Sequence, residues 1–175
     1  MEKKEIVEVL EAKHQDLFDW LETVSDEQWM QGPKDRWTTG QHILHLVDSA
    51  QLLNKALGYP KFLINYKFGT SNRPSRSYKE VAKRYEERLA ESQERAAKYN
   101  INLKVPDVNQ RKHLAQKLQI LNKKLQYKTN KIKDKHLDTL LLPHPLMGKM
   151  TLREIIMWTA HHTDHHVEIL KKDYV

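Results

Sequence analysis

The sequence predicts an all-α protein, with four or five helices packed on one core. Three observations lead there. Only five glycines and six prolines occur in 175 residues, too few breakers for a many-turned sheet protein. Apolar residues recur at the helical period over several long segments. Three of those segments open on a capping-box pair, Thr38/Gln41, Ser77/Glu80 and Thr151/Glu154, in which each residue satisfies a free backbone N–H of the other.

Taken in order, the first helix is expected from about Glu2 to Thr23. Ile6, Leu10, Leu17, Leu21 and Val24 keep one stripe there, with His14 on its margin. Ser25 to Pro33 reads as a connection, and Trp29 and Trp37 as packing on the bundle end. A second helix opens at Thr38 and ends at Gly58, before Tyr59-Pro60. Residues 59–76 read as a long ordered loop, and their aromatics leave room for a homodimer if exposed. From Ser77 to about Tyr99 a helix carries Val81, Tyr85, Leu89 and Ala96 inward, and Asn100 to Pro106 breaks it. Leu114, Leu118, Leu121, Leu125 and Ile132 form the next stripe. His136 to Met150 reads as loop, and Thr151 starts the last helix. No repeat or linker divides the chain, so residues 1–175 are expected to form a single domain.

Composition narrows the functional classes. There is no cysteine, which removes disulfides, a cysteine nucleophile and thiolate ligands supplied by the protein. No apolar stretch is long enough to span a bilayer, and no apolar run follows Met1-Glu2-Lys3-Lys4-Glu5. A cytoplasmic protein with no membrane partner is expected. The net charge of +7 is uneven: Lys104 to Lys135 holds ten Lys/Arg against two Asp, and the rest of the chain is near neutral. This stretch is mostly lysine with one aromatic, Tyr127, so it reads as a solvated helix face and not as a nucleic-acid reader.

The last helix carries the chemistry. His162 and His166 are four apart, so both project from one face, a spacing that suits two imidazoles on one divalent metal. They fall within the stripe of Leu152, Ile155, Trp158, Ile169 and Leu170 and so point at the core. Arg153, Asp164 and Glu168 lie opposite. His161 and His165 share the spacing, but His161 leaves the stripe and His165 sits at its edge. We therefore expect His162 and His166 as ligands and a supporting or gating role for His165. A catalytic metal typically has three protein ligands and an open position. Among His14, His42, His45, His113, His136 and His144, His45 is the best third, because Leu52 and Ala56 continue its line along the second helix. Asp48, nearly one turn after His45, is placed to orient an imidazole or accept a proton, against an equal reading as solvated charge.

The segment Trp37-Thr38-Thr39-Gly40-Gln41-His42-Ile43-Leu44-His45-Leu46-Val47-Asp48-Ser49 resembles the DinB-like superfamily. So, in order, do His144-Pro145-Leu146-Met147-Gly148-Lys149-Met150-Thr151-Leu152-Arg153-Glu154 and His162-Thr163-Asp164-His165-His166. The resemblance includes the branch of metal-dependent hydrolases and bacillithiol-transferase-like proteins, and is weakest from about Asn100 to Lys135. It implies a four-helix bundle of DinB-like type, here with one additional helix, and a histidine triad on nickel or zinc. Carried over by position, the triad is His45, His162 and His166. It also implies a small-molecule substrate, with a low-molecular-weight thiol activated on the metal for transfer. The alternatives are a metal-dependent hydrolase and a non-catalytic metal-binding stress or interaction protein that uses the basic helix.

Overall fold

A computed structural model describes residues 1–92 and 103–174. Four long helices form the body: α1 (Lys3–Thr23), α3 (Thr39–Gly58), α6 (Arg111–Lys131) and α8 (Leu152–Asp173). Each of α1 and α3 packs on both α6 and α8, which closes a four-membered ring. A fifth helix, α5 (Tyr78–Glu91), lies outside that ring against α8. The fold is thus predominantly all-α, as expected. Among the described residues, no helix is long and apolar enough to cross a membrane.

The capping residues set the starts of the helices. Thr38, Ser77 and Thr151 each accept the N3 amide of the following helix, and Gln41, Glu80 and Glu154 return the bond. Leu114, Leu118, Leu121 and Leu125 are buried along α6, so the basic stretch is an amphipathic helix with its lysines outward. Lys123 pairs with Glu11 across the surface.

Three stretches read as connections hold short elements. The Ser25–Pro33 connection contains α2 (Asp26–Met30), capped by Ser25. The 59–76 loop contains α4 (Lys61–Phe68), which starts after Pro60 and stops at Gly69, where φ is +80°. Pro60 begins this helix as well as ending the previous one, and only Ile64 is buried along it, so no apolar period marks it. The 136–150 loop contains the end of α7 (Asp134–Thr139) and an antiparallel hairpin. The hairpin pairs β1 (Leu141–His144) with β2 (Gly148–Thr151), Leu141 opposite Thr151 and His144 opposite Gly148. Two four-residue strands, the first containing Pro143, give too short an alternation to read. The described part of the third predicted helix ends at Glu91. Ala96, Tyr99 and the start of the Asn100–Pro106 break lie outside the described residues.

The core has two apolar parts. One gathers Ile6, Leu10, Leu53, Leu152, Ile156 and Trp158, and the other Leu17, Leu21, Trp29, Ile43, Leu118 and Leu170. On α1 the change from one to the other falls at His14, and on α8 at His162–His166. His14 is 1% exposed, not marginal as its position on the wheel suggests. Arg153, expected outside, is buried on Asp134 and Asp138, because α7 covers that side of α8.

Candidate metal centre

The capping box at Thr38 fixes the first turn of α3 and sets His45 on its second turn. Thr151 does the same for α8, which brings His162 and His166 to the bundle interior about three and four turns later. The three side chains converge. The Nε2 atom of His162 lies 3.1 Å from Nε2 of His45 and 3.1 Å from Nε2 of His166. One ligand nitrogen from each falls within 4.8 Å of the others. Tetrahedral sites with metal–nitrogen bonds of about 2.0–2.1 Å separate their nitrogens by roughly 3.3 Å, so the triad has the dimensions of a metal site.

The rings are held in place by aromatic neighbours. Trp158 stacks on His162 at 4.5 Å between centroids, with planes 17° apart. Trp37 lies parallel to His166 at 6.2 Å and also touches His42 and His45. Tyr85 of α5 meets His161, His162 and His165 edge-on. Trp37 was expected to cap the bundle end and instead forms a wall of the centre. Trp29 is a core residue, fully buried, with its indole N–H donating to the carbonyl of Pro106.

Burial dominates the electrostatics. It lowers His45 from the ordinary imidazole value to about 4 and His42 to about 3. It also holds His162 and His166 well below their usual range, reinforced by the neighbouring imidazoles. All four rings are neutral at pH 7, so protons do not compete for the lone pairs. The donor set suits a cation. His162 Nε2 faces two other Nε2 atoms, and one N–H can bridge only one of those gaps.

The centre opens on a cleft of about 1240 Å³ between α3, α4, α5 and the hairpin, walled mainly by apolar side chains such as Leu53, Ile64, Leu89 and Ile155. Leu52, expected to face inward with His45, is 70% exposed at its rim, because α3 turns that face towards the cleft and not towards a helix. Asp48 also lines the cleft, with an exposed side chain and no hydrogen bond to His45. His165 lines it too, 3.2 Å through Nδ1 from Glu86 of α5, which also holds His161. The sequence offered His42 only as a candidate third ligand, not as a partner of His166, and did not point to Tyr174. His42 Nδ1 sits 2.8 Å from His166 Nδ1, and its Nε2 sits 3.0 Å from the Tyr174 hydroxyl. The i, i+3 spacing of His42 and His45 was the available signal. Nothing in the sequence marked Tyr174.

No curated protein and no solved structure matches this chain. A family model does, over residues 9–170, which takes in α3, α8 as far as Leu170 and all three convergent histidines, and the chain belongs to the DinB superfamily.

Proposed function

We propose that His45, His162 and His166 hold a divalent metal, nickel or zinc, and that the protein is an enzyme that activates a low-molecular-weight thiol for transfer to an electrophile. The observation that carries this reading is the convergence of three neutral Nε2 atoms at the inner end of a large cleft. Bound there, such an ion lowers the pKa of a thiol or of water held against it. The chain has no cysteine of its own, so the thiol comes from a cosubstrate. The apolar walls suit an electrophile with a sizeable hydrocarbon body and exclude water around it. In this reading Asp48, exposed in the same cleft, takes the thiol proton, and Glu86 fixes His165 at the cleft wall.

Metal analysis of purified protein tests the site. Stoichiometric metal is expected in the wild type and is lost in His45→Ala and His162→Ala. Metal retained in both variants overturns the triad. Conjugation of a chlorinated aromatic electrophile by a panel of small thiols, with and without chelator, tests the reaction. Chelator-sensitive conjugation is expected. Turnover of esters without thiol, and no conjugation, assigns the site to hydrolysis instead.

A further inference from the structure

A chain of hydrogen bonds runs from the C-terminus to the centre, and its direction is fixed by chemistry. The Trp37 carbonyl has no proton, so at 2.5 Å the Tyr174 hydroxyl must donate to it. Tyr174 has only that proton, so its oxygen accepts at the 3.0 Å contact with His42 Nε2, and Nε2 carries the hydrogen. A neutral imidazole has one N–H, which leaves His42 Nδ1 bare. At 2.8 Å from that bare nitrogen, His166 Nδ1 must donate. His166 then has its hydrogen on Nδ1 and a free lone pair on Nε2, the atom that faces His162. His42 is buried, its ring neighbours are Trp37, His166 and Tyr174, and among the described residues no carboxylate hydrogen-bonds to it to balance a second proton.

We infer that His42 and Tyr174 are positioning residues for the metal centre: the relay from the Trp37 carbonyl through them locks His166 in the tautomer that presents Nε2 as a ligand. The inference rests on the proposed metal site, and it adds two residues that touch neither metal nor substrate. Partners of this kind orient a ligand imidazole and raise its basicity. The packing around the relay is close. A Cβ on Gly32 would sit 2.0 Å from the Trp37 carbonyl oxygen and 3.2 Å from the Tyr174 ring, so only glycine lets the chain pass there.

Two measurements test it. Long-range proton–nitrogen correlation of the imidazoles in metal-free wild-type protein reads the tautomers directly. His166 is expected protonated on Nδ1 and His42 on Nε2. The opposite tautomer at His166 overturns the relay, whatever metal the protein binds. The second measurement is Zn²⁺ affinity by competition with a chromophoric chelator. Tyr174→Phe, which keeps the ring, and His42→Phe are each expected to weaken Zn²⁺ roughly 10- to 100-fold. His42→Gln, which can span the gap as donor and acceptor, is expected to recover part of that loss. Unchanged affinity in folded Tyr174→Phe and His42→Phe overturns the role, even if the tautomers are as expected. Failure of the wild type to bind Zn²⁺ at all sinks the metal reading instead, and the spectrum still decides the relay.

Discussion

At the scale of single residues, Gly32 shows how closely the centre depends on its surroundings. Its missing Cβ makes room for the Trp37 carbonyl, which in turn receives the Tyr174 hydroxyl. Gly32→Ala is expected to cost about 1–3 kcal/mol in urea unfolding, as overpacking does. It is also expected to weaken Zn²⁺ in the same direction as Tyr174→Phe. An alanine variant with wild-type stability and affinity would show that the Trp37 carbonyl can move freely. The ligand histidines were legible because the i, i+4 spacing and the apolar stripe point the same way, and His45 followed from its line with Ala56. The relay was not legible. His42 lies about 60° round α3 from His45, and its role depends on Tyr174, 132 residues away. A wheel projection sees one helix at a time, and this contact exists only once α3 meets the end of α8.

At the scale of elements, the helices were read best where they begin. Thr38, Ser77 and Thr151 are N-caps in the structure, because a hydroxyl followed at the third position by Gln or Glu satisfies two amides locally. The short elements escaped because α4 buries one residue and the hairpin strands have four residues each. Glu154 shows an element held by more than its cap. Its carboxylate bonds the Thr151 amide, the Arg76 amide and both guanidinium nitrogens of Arg73 at 2.6 and 2.9 Å. Burial alone would raise its pKa, but these bonds outweigh it and hold the carboxyl below its usual value. The charge also sits at the positive end of α8. Glu154→Ala leaves Arg73 and Arg76 without their anion and removes half of the capping box. We expect a loss on the order of 3 kcal/mol by chemical denaturation. A loss under about 1 kcal/mol would mean that the 70–76 segment does not depend on this anchor.

At the scale of the whole molecule, the helical class and the bundle followed from period and composition, because four long amphipathic helices leave few other ways to bury their stripes. What period could not show is that the core is divided by polar residues. His14, 1% exposed, donates through Nδ1 to the Leu10 carbonyl and lies 3.5 Å through Nε2 from the Thr163 hydroxyl. Burial lowers its pKa to about 4, against the smaller opposing pulls of the Leu10 carbonyl and the Glu11 charge. In the unfolded chain the same group titrates near 6.5. Between those values the unfolded state binds a proton that the native state does not, so stability falls as pH is lowered from about 6.5 to about 4. The full slope for one such group is about 1.4 kcal/mol per pH unit. His144, lowered to about 4 by burial, adds to the same window. Urea unfolding of metal-free protein at pH 7.5, 6.5, 5.5 and 4.5 measures the slope, and His14→Gln removes one titrating group from it. The variant is expected to lose stability less steeply than the wild type below pH 6.5, by up to one proton's worth. Parallel profiles would mean that His14 is protonated inside the native core, and that the division between the two apolar parts carries a charge.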